Sequence, residues 1–159
     1  MKIILCGIGD KEAGDDFFGP YIISQIKETS NLKKINCGNI PENYLNKIID
    51  QEPDLVVFFD TLRIDNDNAV TIIVDEELLN LNPGSTSTHN LPFSAVYMFI
   101  KTHCRANVWL VGIKALSYTE LTDRTKQAAA RIAGYLNALD GKGEIDIMKI
   151  YENLSHILR

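Results

Sequence analysis

The segment Asp54–Asp60 (DLVVFFD) limits the fold more than any other stretch of the chain. Its five central residues are all apolar and leave no polar face for water. A strand of this kind is buried on both sides, as happens where helices cover both faces of a sheet. A second apolar run, Ala69–Val74 (AVTIIV), follows after only Thr61–Asn68. A parallel crossover takes about a dozen residues or more, usually including a helix, and this connection is too short for one. The second run is therefore expected to lie antiparallel to the first, near a sheet edge.

The remaining elements alternate around this pair. Lys2–Cys6 (KIILC), closed by Gly7-Ile8-Gly9, reads as a buried strand, and Phe18–Glu28 repeats apolar residues at helical spacing with Pro20 in its first turn. Ile35-Asn36 reads as a brief strand, and Pro41-Glu42 opens a helix carrying Leu45, Ile48 and Ile49. A helix is predicted over His89–Thr102, a strand over Asn107–Ile113 (NVWLVGI), a long amphipathic helix over Thr122–Leu139 and a last one over Ile145–Leu158. The sum is an α/β fold, residues 1–159 forming one three-layer α/β/α sandwich. Its sheet is mixed, mostly parallel and five-stranded, with one antiparallel strand near the edge. Ligand sites in such folds gather beyond the carboxyl ends of the strands.

Charge and composition narrow the partners. The 159 residues carry a net charge of -5 and no local run of Lys and Arg, which argues against nucleic acid. No stretch approaches the roughly 20 apolar residues of a membrane span, and Met1–Gly9 is too short for a signal-peptide core. A cytoplasmic monomer is expected. Cys6, Cys37 and Cys104 form no Cys-x-x-Cys pair and read as small buried residues.

Three positions carry the chemistry. The loop Gly7–Gly19 has a glycine-rich start, but Glu12 stands where a dinucleotide fingerprint needs its third glycine. Asp10, Glu12, Asp15 and Asp16 would repel a pyrophosphate and attract a cation. Asp60 closes the central strand at its carboxyl end. His89 lies among small polar residues at an element junction, unlike His103 and His156, which sit within helical segments and read as packing or solvated residues. Two carboxylates and an imidazole, Asp16, Asp60 and His89, make a mixed site suited to zinc, nickel or iron with open positions.

The order of these motifs resembles the hydrogenase maturation endopeptidases from Met1 to about Leu139. A strand runs into Gly7-Ile8-Gly9 and Asp15-Asp16-x-x-Gly19, an apolar strand ends in Asp60, Thr88-His89-Asn90-Leu91-Pro92 precedes a helix, and an apolar strand ends in Gly112-Ile113. Pro41-Glu42-Asn43 and Thr88–Pro92 are similar to the branch acting on formate hydrogenlyase-type hydrogenases. The resemblance implies an α/β/α sandwich and an endopeptidase. Its substrate would be a nickel-loaded [NiFe]-hydrogenase large-subunit precursor, from which it removes a C-terminal extension. It maps nickel ligands to Asp16, Asp60 and His89 and a neighbouring acid to Asp15, with Asp16 and Asp15 as catalytic candidates. Nickel would come with the precursor, although other divalent metals suit the same residues in isolation. Attack by metal-activated water and carboxylate-assisted attack both fit, and no Ser or Cys nucleophile with an adjacent base is apparent.

Three positions depart from the family pattern. Asp10 replaces the usual Asn, Asn36-Cys37-Gly38 replaces Asp-Gly-Gly, and Gly112-Ile113-Lys114-Ala115 replaces Gly-Ile-Gln-Pro. None touches a proposed ligand. The competing readings are a flavodoxin-like nucleotide-binding module and a noncatalytic chaperone that checks the precursor for nickel.

Overall fold

The computed structural model describes residues 1–65, 68–86, 91–140 and 143–159. Strands β1 (Ile3–Ile8), β2 (Leu32–Gly38), β3 (Leu55–Thr61), β4 (Val70–Val74) and β5 (Asn107–Ile113) form one sheet in the order β2-β1-β3-β5-β4. β1 pairs in parallel with β2 and β3, and β3 with β5. β4 is the antiparallel edge strand that the short Thr61–Asn68 connection requires. Its partner is β5, which enters between β3 and β4.

Alternation along β3 sorts its side chains into two cores. Leu55, Val57 and Phe59 pack with helices α1 (Phe18–Ser24), α4 (Asp123–Asn137) and α5 (Ile147–Ile157). Val56 and Phe58 pack with α2 (Leu45–Ile49) and α3 (Phe93–His103) on the opposite face. An edge-to-face aromatic pair ties each layer to the sheet: Phe59 with Phe18 at 6.3 Å, and Phe58 with Phe93 at 5.1 Å between ring centroids. Such pairs contribute about 0.5–1.5 kcal/mol each beyond their buried area. The three-layer sandwich expected from the sequence is the observed architecture.

The element bounds differ where tertiary contacts override local pattern. β2 spans seven residues, not the brief Ile35-Asn36; Lys33 and Lys34 interrupt the apolar pattern that would have marked its first half. Both are half-buried on an edge strand, a position where lysines guard against stray pairing. α1 stops at Ser24 rather than Glu28. Asn137 of α4 takes over the backbone there, accepting from Lys27 N at 2.9 Å and donating to Gln25 O at 2.9 Å. α3 begins at Phe93 behind Pro92, and the earlier part of its predicted span reaches outside the described residues. α4 and α5 open on the side-chain caps Thr122 and Asp146.

Close packing of α1 on the sheet sets the height of the loop that precedes it. A Cβ on Gly7 would lie 2.5 Å from Gly19 O, and one on Gly19 would strike the carbonyls of Ile8 and Phe59. Backbone therefore rests on backbone here. Among the described residues, no helix is long and apolar enough to cross a membrane.

Candidate active site

Asp16 and Asp60 meet at the carboxyl edge of the sheet through one residue. Asp16 lies in the 3-10 turn Gly14–Phe17, between β1 and α1, and Asp60 is the next-to-last residue of β3. Both carboxylates are buried, Asp16 being 8% exposed and Asp60 fully enclosed. Thr61, itself buried, donates its hydroxyl to Asp16 Oδ1 at 2.8 Å and its backbone N–H to Asp60 Oδ1 at 2.8 Å. Asp10 N donates to Asp16 Oδ2 at 3.0 Å. These two donors take one acceptor position on each Asp16 oxygen, and an ionised carboxylate offers about four.

Asp15 turns the other way. Its Oδ2 accepts from Leu116 N at 2.9 Å and Ser117 N at 3.3 Å, and its Oδ1 from Thr122 N at 2.8 Å and Thr122 Oγ1 at 2.9 Å. Its own amide donates to Ser117 O at 2.8 Å. The residue thus fastens the turn to the loop after β5 and to the cap of α4. Burial pushes its carboxyl pKa up. The backbone donors Thr122 and Leu116, with the Thr125 and Thr122 hydroxyls, outweigh that and hold it below the usual carboxylate value.

The four acids of the glycine-rich loop therefore separate by task. Asp10 accepts from Glu12 N at 2.9 Å and shapes the loop, Glu12 is exposed, Asp15 fastens and Asp16 faces Thr61. Asn36-Cys37-Gly38 also has a structural part. Asn36 Oδ1 accepts from Gly38 N at 3.0 Å, and Gly38 O accepts from Gly9 N at 2.8 Å, so the ends of β1 and β2 are joined. Cys6 and Cys37 are buried free thiols, and burial together with the Cys37 neighbour pushes the Cys6 pKa up. His103 is exposed, bonds Phe99 O through Nδ1 at 2.7 Å and stacks on the Phe99 ring, in keeping with a solvated residue at the end of a helix.

His89, the third ligand expected from the sequence, lies outside the described residues. The chain leading to it runs beside the end of β3: Thr86 bridges Leu62, and Arg63 N donates to Ser85 O at 2.7 Å. Among the described residues no third His, Cys, Asp or Glu completes a metal-holding group. Two participants escaped the sequence reading. Thr61 is a strand residue with no motif of its own. Thr122 was legible as a helix start, but nothing local pointed to Asp15, 107 residues away.

A three-layer sandwich with paired buried acids at the carboxyl edge of a mixed sheet defines a class of α/β protein, and comparison with known proteins places the chain within it. The family model described as HycI, hydrogenase maturation protease, matches residues 20–138, a span that includes Asp60 and His89 and begins just after Asp16. The crystal structure of the [NiFe] hydrogenase maturation protease HycI from Thermococcus kodakarensis KOD1 is 31% identical. It superimposes with a TM-score of 0.75 over 87% of this chain and 91% of that one. The solution structure of the endopeptidase HycI from Escherichia coli is 22% identical, with a TM-score of 0.72 over 94% and 98% of the two chains. A Methanocaldococcus jannaschii protein provisionally named a hydrogenase maturation protease is 27% identical over 148 residues, 85% of this chain and 86% of its own. The chain belongs to the hydrogenase maturation protease family and is a peptidase. Membership removes the flavodoxin-like alternative, in agreement with the acids that occupy the would-be phosphate loop.

Proposed function

We propose that this peptidase removes the C-terminal extension of a [NiFe]-hydrogenase large-subunit precursor and recognises it through the nickel already bound there. The observation that carries the reading is Thr61, which holds the carboxylates of Asp16 and Asp60 on one residue inside the protein. Like charges kept together in a buried place favour a cation between them. Their oxygens suit a divalent metal, and an imidazole would complete a mixed set with positions open to the substrate. His89 follows Thr86 by three residues, a reach of about 10 Å at most, and Thr86 sits beside Leu62 at the end of β3.

In this reading Asp16, Asp60 and His89 anchor the precursor, and the scissile bond lies along the carboxyl edge. Nickel, brought by the substrate, supplies Lewis acidity. Asp16, oriented by Thr61 and Asp10, would accept a proton from an attacking water. Asp15 acts by position, since both its oxygens are engaged by the 116–122 segment.

The test is incubation of the purified protein with a candidate large-subunit precursor, with and without nickel, read by mass spectrometry. Loss of a C-terminal peptide only in the nickel-loaded sample is expected. Equal cleavage in both samples would overturn recognition through the metal. Stable binding with no cleavage would replace the peptidase reading by the nickel-checking chaperone.

A further inference from the structure

The loop after β5 combines two properties that usually exclude each other. Its backbone is fastened by several long-range hydrogen bonds. Leu116 N, Ser117 N and Thr122 N all donate to Asp15, and Ser117 O accepts from Asp15 N. Within the loop, Ser117 Oγ accepts from Thr119 N and Glu120 N, each at 3.2 Å. Gly14, at φ +58, packs so close that a Cβ there would lie 2.6 Å from Ser117 O and 2.7 Å from Thr119 N. Yet two large apolar side chains of this loop face water: Leu116 is 62% exposed and Tyr118 49%, whereas Leu121 is half-buried.

A single exposed leucine is ordinary. A fixed loop that holds a leucine and a tyrosine in solvent two residues apart is a pre-organised apolar grip, because the ordering entropy of its backbone is lost on folding rather than on binding. Its position selects the occupant. The loop leaves β5 at Ile113, which pairs with Thr61, and packs on Gly14 of the turn that carries Asp16, so the grip borders the candidate site. A polypeptide whose scissile bond lies at Asp16 and Asp60 would have this loop beside it. We infer that Leu116 and Tyr118 grip an apolar stretch of the precursor's C-terminal extension and so set which extension is cut. The inference rests on the processing reading above and adds specificity residues to it.

The experiment uses the full-length protein, the nickel-loaded precursor and the same subunit lacking its extension. The double variant Leu116→Ser/Tyr118→Ser and the conservative Leu116→Met/Tyr118→Phe are compared with wild type, with melting curves as a fold control. Neither side chain is buried, so all three should melt alike. The serine variant is expected to raise KM about tenfold or more with kcat within about twofold of wild type, and the conservative variant to restore KM. Direct binding should show wild type preferring the precursor over the shortened subunit, with that preference lost in the serine variant. Unchanged KM and unchanged preference in the serine variant would overturn the inference. So would a wild-type dimer in sedimentation that the serine variant converts to monomer, because the grip would then hold a second copy. If wild type cleaves nothing, the processing reading fails, and the binding preference alone decides the grip.

Discussion

Asp15 and Asp16 are adjacent identical residues with opposite duties, and substitution should separate them. Asp16→Asn keeps the volume and one acceptor oxygen. Its amide donates to Thr61 while its oxygen takes Asp10 N, so stability should fall by only about 1 kcal/mol. On the proposed reading, in which Asp16 is a metal ligand and the base, processing of the precursor should be abolished. Wild-type rates in that variant would sink the site assignment. Asp15→Asn presents an NH2 group to one pair of its four donors, and each stranded donor costs about 1–3 kcal/mol. Here the melting temperature should drop clearly. The pH dependence has a definite sign. Asp15 titrates lower when folded than when unfolded, so its stabilisation is complete above the ordinary carboxylate value, near about 3.9, and is lost as pH falls through the lower folded value. Acid titration of the melting temperature should lose this component in Asp15→Asn. An identical acid profile in both proteins would show that the fastening is not electrostatic.

At the scale of elements, the contact of α1 with the sheet governs the site, because the turn bearing Asp15 and Asp16 leads directly into it. Gly19→Ala would drive a methyl into the carbonyls of Ile8 and Phe59. Overpacking of this kind costs about 1–3 kcal/mol, and it lifts the turn from Thr61, so activity should fall further than stability. Activity reduced only in proportion to the folded fraction would contradict this. The elements also show what was legible in the chain. The central strands, the antiparallel edge strand and the long α4 followed from periodicity and connection length. β2 was underestimated because Lys33 and Lys34 break its pattern, and α1 was overestimated because Ile26 continues an apolar spacing after the helix has ended. Ile26 is buried in the core that includes α4, and Asn137 supplies the backbone partners, facts that no window around residue 26 contains. Asp16 and Asp60 were legible from motif order and strand-end position. Thr61, which joins them, carries no periodicity or spacing that marks it.

Over the whole molecule, the turn after β1 is the common anchor of the carboxyl edge. Gly9 is bonded to Gly38, Asp16 to Thr61, and Asp15 to the 116–122 segment, so the turn after β1 is tied to the ends of β2 and β3 and to the chain beyond β5. Surface loops ordinarily open at low free energy, and core strands do not. The amides of Leu116, Ser117 and Thr122 are expected to exchange hydrogen nearly as slowly as those of β1 and β5, although their loop lies at the surface. Exchange at the rate of an open loop would show that Asp15 does not hold them. The same tie has a consequence for the order in which the molecule comes into being. Thr122 is synthesised 107 residues after Asp15. A nascent chain that has delivered β1, β3 and both acids still carries Asp16 on a turn without its tie to the 116–122 segment, and that turn is expected to settle only once Thr122 has left the ribosome.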